Sequence, residues 1–93
     1  MTSKRQSWLP AEVEEAVVKL VASEMKVEQS EVVRKTSFKD DLGAESLDNL
    51  EMVMQLEDQF ELVIPDKEAE KLLTVGAAID QIQSQLRTLG RLD

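Results

Sequence analysis

The sequence predicts an all-α protein: a small four-helix bundle with three longer helices, one short helix and a long first loop. Three observations carry this expectation. Apolar residues recur at helical spacing in three separate stretches, and no run shows the alternation of a half-buried strand. Trp8, Phe38 and Phe60 are the only aromatic residues, so aliphatic side chains and Met must fill most of the core. With 93 residues, 42% hydrophobic and 32% charged, the chain suits a single folded domain over 1–93 rather than a disordered acidic tail.

Residues 1–9 read as a flexible N-terminal extension, with Lys4 and Arg5 but no apolar stretch of the kind a secretory signal needs. In the first helix Val13, Val17, Leu20 and Val21 form one stripe, Pro10 suits the first turn, and Glu12, Glu14 and Glu15 favour the positive end of the helix dipole. The stripe fades after Met25. Residues 26–45 are polar with scattered apolar anchors, a connection long enough to need some local structure, and Gly43 supplies a turn before the next helix. That helix covers 46–60. The run Leu62-Val63-Ile64 is too short for a confident strand and stops at Pro65, after which Asp66 can cap a short helix over about 67–72. Thr74 can cap the last helix, where Val75, Ala78, Ile79, Ile82 and Leu86 share a face. Gly90 marks a frayed end within a C-terminal tail, 87–93.

Composition excludes several function classes. With neither Cys nor His, the chain lacks the commonest nucleophile, general base and transition-metal ligands, so a self-contained enzyme and a metal site are not expected. The net charge of −8 opposes nucleic-acid binding and favours partners with basic surfaces. No apolar run approaches the ~20 residues needed to cross a bilayer, and a cytoplasmic monomer without membrane insertion is expected. The charge is concentrated: residues 40–70 hold eleven acids and one base, Lys67, while 1–39 and 71–93 are each net +1.

The helix at 46–60 holds most of that charge. Turning about 100° per residue, Met52, Val53, Leu56 and Phe60 share a core-facing stripe, whereas Leu47, Leu50 and Met54 fall away from it among Glu51, Glu57, Asp58 and Glu61. Burying that second sector would desolvate several unpaired carboxylates, which is expensive. Leu47, Leu50 and Met54 are therefore placed at the surface or a cleft edge, with Leu50 equally suited to packing under the preceding loop. Met54, flexible and polarizable, suits contact with a partner.

Ser46 opens this helix. No His is present to activate it as a nucleophile. From spacing alone a helix N-cap is preferred, and a phosphodiester attachment point at the free N–H groups of the helix start remains open. The span from Asp40 to Glu51 has the length of an EF-hand loop, but Leu42 and Ala44 stand where oxygen ligands are needed, so a specific Ca²⁺ site is rejected.

The stretch Asp41-Leu42-Gly43-Ala44-Glu45-Ser46-Leu47-Asp48, continued by Glu51-Met52-Val53-Met54 and Leu56-Glu57-Asp58-Gln59-Phe60, resembles the signature of the acyl carrier protein family, in particular the bacterial type II fatty-acid-synthesis carriers. So do Ile64-Pro65-Asp66, Ala69-Glu70-Lys71, Thr74-Val75 and Ala77-Ala78-Ile79-Asp80, collinear over about residues 12–86. The resemblance implies a serine, here Ser46, that a phosphopantetheinyl transferase modifies with 4′-phosphopantetheine from coenzyme A. The thiol of that arm would hold growing acyl chains as thioesters for the enzymes of fatty-acid biosynthesis. It further implies a partner-binding face at Glu45, Leu47, Asp48, Leu50, Glu51, Met54 and Glu57, read by enzymes with basic docking surfaces. An acyl-sheltering interior could be lined by Val17, Val53, Leu56, Phe60, Ile64, Leu72 and Ile79. Three positions depart from the pattern: Glu45 replaces the usual Asp before the serine, Lys26 stands where a Gly commonly closes the first helix, and Lys67 puts a base where the short helix is often acidic. These departures leave a dedicated carrier for polyketide or specialised lipid synthesis, or a regulatory or structural module of the same fold, as alternatives.

Overall fold

Four α-helices make up the computed structural model, which describes residues 7–93. Helix α1 is Pro10–Met25, α2 is Ser46–Phe60, α3 is Asp66–Ala69 and α4 is Val75–Thr88. Among the described residues no strand forms, and only two isolated bridges occur, Trp8 with Leu92 and Ser37 with Thr74. Helix α1 packs along both α2 and α4. It buries Val13, Val17, Val21 and Ala22 against Met52, Leu56 and Phe60 from α2 and Val75, Ala78, Ile79, Ile82 and Leu86 from α4. The apolar periodicities of the three long helices converge on one core as expected.

The long first loop is ordered by its own hydrogen bonds. It holds a 3₁₀ turn at Gln29–Glu31. Thr36, buried, accepts at Oγ1 from the Val33 N–H (2.9 Å) and donates to the Glu31 carbonyl (3.2 Å). The loop then closes the start of α4: the Val75 and Gly76 N–H groups donate to the carbonyls of Thr36 (3.0 Å) and Arg34 (2.9 Å). Thr74 Oγ1 accepts from the Ala77 N–H at 3.1 Å, the N-cap the sequence suggests. A side chain at Gly76 would meet the Arg34 carbonyl oxygen at 3.0 Å, so glycine permits this crossing. Arg34 also pairs with Asp80 at 2.8 Å, and the hydrogen bond that it donates to that carboxylate raises the Arg34 pKa. Helix α1 ends on Lys26 in the left-handed region (φ 58°), the geometry that explains why glycine is usual at this position.

Three sequence expectations change. Short helix α3 starts at Asp66 itself, with Pro65 as its N-cap, and ends at Ala69 rather than near residue 72. The fixed φ of Pro65 takes the boundary position that Asp66 was expected to hold. The supposed flexible extension 1–9 falls outside the described residues up to residue 6, and its described part is not loose. Trp8 is buried, its backbone N–H donates to the Arg91 carbonyl (2.8 Å), and the Asp93 N–H returns to the Trp8 carbonyl (2.8 Å). Its ring lies 4.6 Å from that of Phe60. The tail is fixed likewise: residues 87 and 88 belong to α4, and Gly90, at φ 72°, turns the chain back rather than fraying it. Arg91 then donates to the Phe60 and Glu61 carbonyls at the end of α2. Trp8 and the tail 91–93 are thus held together at the end of α2 opposite Ser46.

Candidate functional site

The turn before α2 sets the position of Ser46. Phe38 is buried and its N–H donates to the Leu73 carbonyl (3.1 Å), anchoring the loop beside α4. Asp41 accepts from the Ser37 N–H at 2.7 Å, and Ser37 Oγ accepts from the Asp40 N–H at 3.0 Å. Gly43 adopts φ 66°, a left-handed conformation that costs other residues strain. Ala44 then buries its methyl and donates its N–H to the Phe38 carbonyl (2.8 Å). The chain enters α2 from a fixed point.

Ser46 is the first residue of α2 and not its N-cap; Glu45, with an extended backbone, is the N-cap. The preference for serine at N-caps is real, but here the Glu45 N–H donates to Asp48 Oδ2 at 2.9 Å, one arm of a capping box shifted by one residue. This shift frees the serine hydroxyl from capping duty. Ser46 is exposed, and among the described residues its N–H and that of Leu47 find no acceptor. At the start of α4, by contrast, Val75, Gly76 and Ala77 are all satisfied within the molecule. A negatively charged phosphodiester on the Ser46 oxygen would lie at the positive end of the α2 dipole, beside unsatisfied donors.

Beside Ser46 a half-open cleft of about 490 Å³ lies between α2 and the α3 segment. Asn49, Leu50, Val53 and Leu56 line its α2 wall, Ile64, Ala69, Leu72 and Leu73 the opposite wall, with Phe38, Met52 and Ala78 at the back. Of the residues considered for an acyl shelter, Val53, Leu56, Ile64 and Leu72 line this cleft. Val17, Phe60 and Ile79 do not; all three are fully buried in the bundle core. Leu73, 69% exposed, was missed; its only signal was the Leu72-Leu73 pair just ahead of the Thr74 cap.

The apolar residues set among acids are where the helical wheel put them. Leu47 is 65% exposed, Leu50 56% and Met54 58%, on the face of α2 that leads from Ser46. Glu45, Asp48 and Glu51 pair with no basic side chain among the described residues, so this face carries net negative charge around an apolar ridge. Two of the acids differ in kind from simple surface carboxylates. Asp48 is half-buried and holds the Glu45 N–H, and Glu57, also half-buried, accepts the Ile64 N–H at Oε2 at 2.7 Å.

The family described as the phosphopantetheine attachment site matches residues 15–82. A solved acyl carrier protein from Enterococcus faecalis, reported for structural components that contribute to its high thermal stability, shares 40% identity over 83% of this chain and 98% of its own length, with a TM-score of 0.73.

The chain belongs to the acyl carrier protein family.

It is therefore a carrier domain whose prosthetic group is 4′-phosphopantetheine, and its kind works with acyl chains and the enzymes that build them. The start of α2 fits that group on its own evidence, with an exposed hydroxyl, two free N–H groups and an adjoining apolar cleft. Among the described residues no helix is long and apolar enough to cross a membrane.

Proposed function

We propose that the chain, acting as one monomeric domain in the cytoplasm, carries growing acyl chains attached through Ser46 and delivers them between the enzymes of fatty-acid biosynthesis. The observation that carries this reading is the exposed Ser46 hydroxyl at the first residue of α2, at the mouth of an apolar cleft. A phosphopantetheinyl transferase would transfer the phosphopantetheine of coenzyme A to the Ser46 oxygen, which loses its proton as the pyrophosphate bond of coenzyme A breaks and adenosine 3′,5′-bisphosphate leaves. When bound, the arm supplies a thiol that holds acyl groups as thioesters, chemistry this chain cannot supply without cysteine. The chain's own part is positional. The free Ser46 and Leu47 N–H groups face the site of the phosphodiester, and the cleft offers the acyl chain an apolar wall away from water.

Docking falls to the α2 face. Glu45, Asp48 and Glu51 attract a basic partner surface, and Leu47, Leu50 and Met54 give it an apolar contact once it arrives. Glu57 adds charge to this face, although its hydrogen bond to Ile64 gives it a second task. Lys67, exposed and without an ion pair among the described residues, favours a second reading, a carrier dedicated to polyketide or specialised lipid synthesis whose enzymes present an acid opposite it. Malonyl loading followed by condensation separates the two. Fatty-acid-synthesis enzymes should extend the chain on this carrier about as well as on a known fatty-acid carrier. Normal modification with failure of elongation would favour the dedicated reading.

A further inference from the structure

Residues 65–72 cross the cleft as a strap with little hold on the body of the protein. None of them is buried, and only Ala69 and Leu72 rest partly on the core. Among the described residues their backbone bonds stay within the segment with one exception: Glu68 and Ala69 donate to Pro65, Glu70 to Asp66, Lys71 to Glu68 and Leu72 to Ala69, while the Lys71 carbonyl accepts from the adjoining Leu73 N–H (2.9 Å). The Lys71–Glu68 ion pair is internal as well. The flanks are fixed. On the C-terminal side the Leu73 carbonyl accepts the Phe38 N–H, and Thr74 bridges to Ser37. On the N-terminal side the Leu62 N–H donates to the Glu57 carbonyl (3.1 Å), the Val63 carbonyl accepts from Gln85 Nε2 (2.7 Å), and Ile64, buried, donates its N–H to Glu57 Oε2.

The last bond is the one nearest the strap, and its acceptor belongs to a side chain that itself lines the cleft. We infer that Glu57 is a positioning residue: its bond to the Ile64 N–H fixes the hinge at Ile64, and with it the resting width of the cleft that residues 65–72 border. The inference rests on the carrier reading for its cargo, but the hinge is a property of the chain itself. A carboxylate suits the task. It accepts a charge-assisted bond from an amide that would otherwise lie half-buried without a partner, and from α2 it couples the docking helix to the cleft wall.

The test uses the full chain in two arms. Amide hydrogen exchange on the unmodified protein should show Ile64 and residues 65–72 exchanging about ten- to a hundredfold faster in Glu57→Ala. Glu57→Gln, which keeps an acceptor oxygen, should restore protection, and Glu51→Ala, which removes a charge from the same helix, should leave Ile64 unchanged. In the second arm an environment-sensitive fluorescent fatty acyl chain is loaded through the arm. Its emission should report an apolar setting in the wild type and in Glu57→Gln, and a wetter one in Glu57→Ala. Equal Ile64 exchange in Glu57→Ala and the wild type would overturn the hinge while leaving the carrier intact. A wild-type chain that stays in water would overturn both the cleft as cargo site and the inference. Exchange in Glu57→Gln matching that in Glu57→Ala would assign the effect to charge and also overturn it.

Discussion

Met52 and Met54 are the same residue type, two positions apart on α2, with opposite surroundings. Met52 is 3% exposed against the core and Met54 is 58% exposed on the acidic face. Truncating Met52 to Ala removes buried atoms and leaves a cavity, which costs about 2–5 kcal/mol. For a domain of this size each kcal/mol moves the melting midpoint by roughly 4–8 °C, so a fall of about 8–40 °C is expected. Full burial of a Met side chain contributes about 1.5–3 kcal/mol, and Met54 keeps less than half of that burial, so Met54→Ala should cost about 1 kcal/mol or less. Thermal denaturation followed by circular dichroism reads both values. Acyl transfer by carrier-dependent enzymes reads the other side: Met54→Ala should slow it while lowering the midpoint by no more than about 4–8 °C. Val53, placed by its position on the wheel in the core stripe, is only half-buried and lines the cleft, so Val53→Ala should fall between the two. If Met54→Ala melts the protein as severely as Met52→Ala, the exposed-ridge account of α2 is wrong.

Gly76→Ala gains helix propensity but drives a methyl to 3.0 Å from the Arg34 carbonyl oxygen, and a net loss of about 1–2 kcal/mol is expected by denaturant titration; a stabilised variant would show that the loop gives way. Trp8→Ala should lose about 3–5 kcal/mol, because the buried ring packs on Phe60 where Trp8 pairs with the tail; a small loss would return residues 7–9 to the status of a loose extension. Glu51→Lys should slow association with carrier-dependent enzymes, and raised salt should slow the wild type similarly, since exposed charges are screened beyond about 8–10 Å. Stopped-flow rates indifferent to both would refute an acidic docking face.

The sequence makes α1, α2 and α4 legible because each has a long amphipathic repeat, and the exposure of Leu47, Leu50 and Met54 followed from the cost of burying the acids around them. What stayed hidden depends on partners distant in the chain. Trp8 and Asp93 meet across nearly the whole length, and no local pattern marks that pairing. Glu57 looks like its acidic neighbours until the Ile64 amide is brought to it by the following loop. The one-residue displacement of the α2 cap was hidden for another reason: Glu is an uncommon N-cap, and residue preference pointed to the adjacent Ser46.

Carriage through Ser46 is tested most directly by intact-mass measurement with peptide mapping after incubation with coenzyme A and a phosphopantetheinyl transferase. The wild type should gain a single phosphopantetheine, mapped to the peptide holding Ser46, and Ser46→Ala should gain none while melting like the wild type, because the exposed hydroxyl takes no part in packing or capping. Modification of the Ser46→Ala protein, or none on the folded wild type, would contradict it.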